Sequence, residues 1–148
     1  MKLIEETHTL FDSLEEMLAP ETLSDLLSRP VTRVDCPPIT EQGGVAGSKL
    51  GYVDTNVGRL VLKIMSQKFD WLMYATADHQ CRSVMLWQYG LLDQLHPYLE
   101  HKIIACAREG DVWAMLMNDL SDRTFSDYPP MSIEFVQIFL DSLEQYAP

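Results

Sequence analysis

Cations are in short supply in this sequence. Eleven Lys and Arg face 22 Asp and Glu, a formal net charge of −11. That excludes a general grip on nucleic acid, which needs cations to displace phosphate counterions. It also disfavours an anionic membrane surface. Long apolar runs are missing, and the longest fall well short of the ~18 residues that suggest a membrane span. The first eighteen residues carry Glu5, Glu6, Asp12, Glu15 and Glu16, with no basic head leading into an apolar stretch, so they do not read as a signal peptide. Cysteine is sparse: Cys36, Cys81 and Cys106 are widely spaced, and no C-x-x-C occurs. An odd, scattered set argues against a disulfide framework and for a reducing cytoplasm, with each thiol acting as a small buried hydrophobe. His8, His79, His96 and His101 form neither H-E-x-x-H nor H-x-H, so they give no metal signature.

What is present is an ordinary globular mixture, 47% apolar and 22% charged. A chain of 148 residues is expected to make one domain and to bury about 70% of its unfolded surface. Nine of the eleven basic residues lie between Arg29 and Arg108. Both ends are acidic and the middle is near neutral, so the middle is where a phosphate-bearing ligand would bind.

Hydrophobic periodicity predicts a helix over Leu3–Leu18, through Leu3, Thr7, Leu10, Leu14 and Met17 or Leu18. A second short helix is expected over Glu21–Leu27, between Pro20 and Pro30. Together they suggest a helical hairpin. Val31–Val34 and Cys36–Thr40 read as extended. A small-residue loop, Glu41–Ser48, leads into a hairpin: Lys49–Asp54, a turn at Thr55-Asn56-Val57-Gly58 with Asn and Gly supplying positive φ, then Arg59–Met65. Lys68–Ala77 is a candidate helix. Cys81–Leu95 is a stronger one, with Val84, Trp87, Leu91 and Leu95 on one stripe. Lys102–Ala107, the turn Arg108–Asp111, and Val112–Met117 form a second hairpin. Ser132–Tyr146 reads as a final helix with Ser132 as N-cap. Strands joined by tight turns are antiparallel. The expected class is therefore α+β: an antiparallel sheet of about five strands with a helix packed on it.

Three features occur in an order that carries chemistry. The glycine loop Gly43-Gly44-Val45-Ala46-Gly47 comes first, then Lys63 inside the apolar strand Leu60-Val61-Leu62-Lys63, then the apolar strand Met115-Leu116-Met117 breaking into Asn118-Asp119-Leu120-Ser121. An ammonium in an apolar strand must leave the core face or meet an anion. The glycines complete neither a Walker A motif nor G-x-G-x-x-G, and taken alone they suit a plain hairpin loop.

Loop, strand, turn, lysine strand, helix, hairpin and polar linker is the layout of a protein-kinase N-lobe. Residues Val31 to Asp122 resemble the N-terminal lobe of the aminoglycoside phosphotransferase and choline kinase superfamily. The resemblance is carried by Arg59-Leu-Val-Leu-Lys-Ile-Met, Cys81-Arg-Ser-Val-Met-Leu-Trp-Gln-Tyr-Gly-Leu-Leu and Trp113-Ala-Met-Leu-Met-Asn-Asp-Leu-Ser. It divides the chain into an N-terminal helical segment (1–30), a kinase-like N-lobe (31–122), and a hinge exit with a C-terminal helix (123–148). It implies nucleotide contacts at Gly43, Gly44, Gly47, Lys63, Met117, Asn118 and Asp119, with ATP and magnesium weakly held.

Two departures stand out. Kinase-like lobes pair the strand lysine with a helix Glu, yet no acidic residue lies between His79 and Leu92; Ser83 and Gln88 stand where that Glu would be sought. No His follows His101, no Gly follows Gly110, and there is no Asp-Phe-Gly, so the catalytic loop and metal-binding Asp of the second lobe are not in this sequence. The expectation is a truncated phosphotransferase lobe, inactive alone, that binds nucleotide at millimolar strength or weaker. The alternative is a non-catalytic interaction or dimerisation module derived from that lobe. In that alternative the acidic helices at both ends bind a partner or a second copy, and Lys63 is incidental. Without its second lobe the chain is also expected to expose an apolar surface at Met115, Met117, Phe135 and Phe139, met by a homodimer contact or left as a loosely packed C-terminal helix. The acceptor substrate is not legible, because the absent lobe builds most of that site.

Overall fold

A computed structural model describes residues 5–39, 46–95 and 100–121, together with Ile133, Val136, Gln137 and Asp141. Its elements in chain order are α1 (Leu14–Met17), α2 (Pro20–Leu27), β1 (Val34–Asp35), β2 (Lys49–Thr55), β3 (Gly58–Met65), α3 (Trp71–Ala75), α4 (Arg82–Gln88), a 3-10 turn (Leu92–Gln94), β4 (Ile103–Glu109) and β5 (Val112–Asn118). The five strands form one open antiparallel sheet in the order β1-β2-β3-β5-β4. The expected α+β class and strand count hold. Gly43, Gly44, Ser132, Phe135 and Phe139 lie outside the described residues. The four described residues beyond Ser121 are helical.

Period-two alternation in β3 explains how the sheet is covered on both faces. Leu60 and Leu62 turn to one side and join Val53, Ala105, Ala107, Ala114 and Leu116 in a core closed by Met17, Leu23 and Val31. Met65 turns to the other side. There, with Cys106, Trp113 and Met115, it meets Met73, Cys81, Val84 and Trp87 from α3 and α4. The N-terminal helices thus cover one face, and α3 and α4 the other. A bulge in β4 between Ile103 and Ala105 keeps Ile103 opposite Met117 on the α4 side.

Several expectations need correction. The helix predicted from Leu3 to Leu18 is only Leu14–Met17. Ser13 caps it, accepting from the Glu16 N–H at 3.1 Å, while the Glu16 carboxylate accepts from the Asp12 N–H at 3.3 Å. The Ser13 cap is a helix-start signal, and with its extended backbone it stops the helix from extending backwards. The residues before it serve the sheet instead. The Phe11 N–H donates to Cys106 O at 3.0 Å and the Arg108 N–H to Phe11 O at 2.9 Å, a parallel bridge at the outer edge of β4. An edge strand's unpaired amides and carbonyls favour this capture over one more helical turn.

The helix predicted over Cys81–Leu95 ends at Gln88. Gly90, at φ +66, closes it with the paired terminal bonds Gly90 N–H to Trp87 O (2.8 Å) and Leu91 N–H to Leu86 O (2.9 Å). Leu91 and Leu95 leave the stripe and are exposed. The expected helix over Lys68–Ala77 is Trp71–Ala75, started by the buried Asp70, whose carboxylate accepts from the Leu72 and Met73 amides. At the first hairpin turn only Gly58 takes positive φ. Asn56 is a tether: its side-chain oxygen accepts from the Thr32 and Arg33 amides at 2.8 and 3.2 Å, and its amide donates to Pro30 O at 3.0 Å.

Cys36, Cys81 and Cys106 are all unpaired thiols, the last two buried. Among the described residues no helix is long and apolar enough to cross a membrane.

Candidate functional site

Lys63 stands between Leu50 of β2 and Met115 of β5 in the sheet register, so the three side chains share one face. That face is the α4 side. Here the strands, α4 and the 3-10 turn leave a cleft of about 580 Å³, lined by Ala46, Ser48, Leu50, Lys63, Ser83, Leu86, Leu92, Ile103, Met115 and Met117. Its volume is in the range of small-molecule sites, which run to roughly 300–1,000 Å³. Lys63 is half-buried in it. On a chain of net charge −11, Lys63 is the sole charged side chain among the lining residues. No carboxylate of the described residues lies within ion-pair distance of its ammonium.

Behind Lys63 the wall is sulfur and hydroxyl. Cys81 Sγ lies 3.8 Å from Met65 Sδ and 3.5 Å from Ser83 Oγ. Burial pushes the Cys81 thiol pKa up; hydrogen bonds from Ser83 and Val84 and the nearby Lys63 ammonium pull it the other way. Cys106, deeper in the same core, is raised further by burial. Both stay protonated thiols at neutral pH. The helix position facing Lys63 is therefore held by Ser83, a neutral donor and acceptor.

The other singled-out residues divide. Met117 lines the cleft. Asn118 ends β5, and its N–H is donated to Lys102 O at 2.9 Å. Asp119 turns outward; its carboxylate accepts from the Ser121 N–H at 2.9 Å, and hydrogen bonding from the Ser121 side chain first, then from its N–H, holds its pKa below the usual carboxylate range. Gly47 reaches the cleft only through its neighbours Ala46 and Ser48. It sits at φ +94 against Phe69 O, and the Trp71 N–H donates to Ala46 O at 2.9 Å. This pins the end of the loop to the start of α3. Met115, expected as exposed surface, is 5% exposed and belongs to the core.

Sequence reasoning did not single out Leu50, Leu92 or Ile103. The first could have been found, since it is the cross-strand neighbour of Lys63 once the hairpin register is drawn. Leu92 and Ile103 come from separate segments and carry no local signal. A smaller hollow of about 270 Å³ lies across the sheet, bordered by Leu14, Cys36, Pro37, Pro38 and Ile64, with Glu109 as its one charged residue. It offers little to orient a ligand.

No protein-family model, no curated protein and no solved structure matches the chain.

Proposed function

We propose that this chain is the nucleotide-binding N-lobe of a small-molecule kinase of the aminoglycoside phosphotransferase type. One observation carries the reading: Lys63, which no carboxylate of the described residues pairs with, is the sole charge among the described residues lining a largely apolar cleft. Such a cleft suits a ligand with a flat apolar part and an anionic part. Leu50, Met115 and Met117 supply the apolar wall for a base, and Lys63 supplies the cation for the α- and β-phosphates. The order of strands and helices around the lysine supports it as well. With the Asn118 amide committed to Lys102, the base edge would be read by backbone groups beyond Asn118. Among the described residues no group of three His, Cys, Asp or Glu side chains is arranged to hold a metal ion; magnesium would enter on the nucleotide's phosphates and supply charge neutralisation there.

Binding by this lobe is weak on physical grounds. One solvated lysine–phosphate contact contributes on the order of 1 kcal/mol at water-like dielectric. Millimolar affinity corresponds to ~4 kcal/mol in all. Titrating the labelled chain with magnesium ATP should move the NMR signals of Ser48, Lys63, Ser83, Met115 and Met117, and leave Val53, Leu62 and Leu116 on the far face unmoved. Lys63→Met should weaken the titration roughly fivefold, the fold-change that ~1 kcal/mol corresponds to. Shifts confined to the far face, or a titration unchanged in Lys63→Met, would remove the reading.

A second reading, an interaction module, is favoured by α3. Trp71, Leu72 and Tyr74 are 58, 48 and 75% exposed. Exposed apolar patches of this kind mark interfaces. Sedimentation showing a dimer that Tyr74→Ser dissociates, with no response to ATP, would favour that module over the nucleotide site.

A further inference from the structure

Three segments meet on one carboxylate, that of Asp93, with His8 lying 85 residues before it and His101 8 residues after it. Asp93 of the 3-10 turn places Oδ2 2.6 Å from His8 Nε2 and Oδ1 2.7 Å from His101 Nε2. An ionised carboxylate only accepts, so each ring must present an N–H through Nε2. For His101 the geometry fixes this independently: its Nδ1 accepts the Ile103 N–H at 3.3 Å. His8 lies flat on Trp87, ring centres 4.6 Å apart and planes 13° off parallel. The Thr7 and His8 amides both donate to Gln88 O, at 2.8 and 2.9 Å. The hydrogen bond from His101, then that from His8, holds the Asp93 carboxyl below its ordinary pKa, so the acceptor is charged at neutral pH. The adjacent charges, Glu100 and Lys102, pair with each other.

Each end of this cluster borders the Lys63 cleft. Asp93 adjoins Leu92, and His101 holds the amide of Ile103. Leu92 and Ile103 are both walls of that cleft. We propose that Asp93 is the positioning residue of the cleft: with His8 and His101 on its two oxygens, it clamps the N-terminal segment, the 3-10 turn and the start of β4 into one wall. Its role toward a ligand rests on the nucleotide reading, but the clamp is testable without ligand. Both Nε2 atoms are spent on these hydrogen bonds, and among the described residues no group of three His, Cys, Asp or Glu side chains is arranged to hold a metal ion.

The test uses the full chain, with Asp93→Asn and Asp93→Ala beside it. Long-range proton–nitrogen spectra recorded at pH 8 should show His8 and His101 both protonated on Nε2. In Asp93→Asn one oxygen is replaced by a donor. His101, fixed by Ile103, should keep its Nε2 proton, while His8 should move its proton to Nδ1 to accept from the new amide. In Asp93→Ala the Ile103 amide should exchange with solvent at least tenfold faster, and the magnesium ATP titration should weaken by a similar factor with Lys63 intact. A wild-type His101 protonated on Nδ1, or an Asp93→Ala chain with unchanged Ile103 exchange, would overturn the clamp. If the wild-type chain shows no response to ATP, the nucleotide reading fails, while the tautomers and the Ile103 exchange still decide the clamp. Should Asp93→Ala not fold, the clamp stands or falls on the His8 tautomer in Asp93→Asn.

Discussion

Leu62→Ala should lower the unfolding free energy by about 3 kcal/mol, within the range of roughly 2–5 for leucine truncations in cores. Leu62 is fully buried among Val53, Ala105, Leu116 and the N-terminal helices. Alanine would leave a void between three layers that cannot close together. Lys63, one residue on, points to the other face. There Lys63→Met removes a half-buried ammonium that no carboxylate of the described residues pairs with, and it keeps the aliphatic stem. Its expected effect on stability is small, or a slight gain, because burying an unpaired charge is costly. Urea unfolding of both variants checks the contrast. Equal losses would mean that the alternation of β3 does not divide packing from ligand binding.

Gly47→Ala is the second large effect, at about 2 kcal/mol or more, since a strained backbone alone costs of order 1–3. The residue sits at φ +94, and an added Cβ would lie 2.4 Å from the Phe69 carbonyl oxygen. The obstacle is backbone, so no side-chain rotation relieves it. Gly110 is the control. It also takes positive φ, at +62, but a Cβ there meets nothing within 4 Å. Gly110→Ala should show only the conformational cost, about 1 kcal/mol. If thermal or urea unfolding ranks the two alike, the contact with Phe69 is not what demands glycine. The outcome bears on function too. A glycine of the phosphate loop is usually explained by room for a ligand. Gly47 is already required by its packing against the entry to α3, so loss of ATP binding in Gly47→Ala would not by itself locate a phosphate.

Much of this architecture is written in short-range pattern. The alternation of Leu60, Leu62 and Lys63, the Gly58 and Gly110 turns and the apolar pair Val84 and Trp87 depend on neighbours within one element or one hairpin. Residue type and spacing were enough to place them, and to make the strands of each hairpin antiparallel; that β5 rather than β4 pairs with β3 came with the fold.

Other features depended on partners far along the chain. The periodicity of residues 3–18 suits a helix, but the open edge of β4, almost a hundred residues away, offers Phe11 two backbone bonds. The stripe of α4 continues into Leu91 and Leu95 on paper. Gly90 must instead stay bare because Thr7 crosses there: a Cβ would meet Thr7 Oγ1 at 2.7 Å. Lys63 could be recognised from its apolar neighbours as a residue needing an anion or an exit, and Ser83 and Gln88 could be read where a carboxylate was sought, yet that Ser83 rather than Gln88 lines the cleft came only with the packing of α4. His8, Asp93 and His101 have nothing in common in the sequence. Sequence alone determined which residues of a strand or helix share a face, because that is set by side-chain period. The tertiary structure decided edges, helix ends and the cleft wall, because unpaired backbone groups and lone polar side chains are satisfied by whichever segment the fold brings within hydrogen-bond reach.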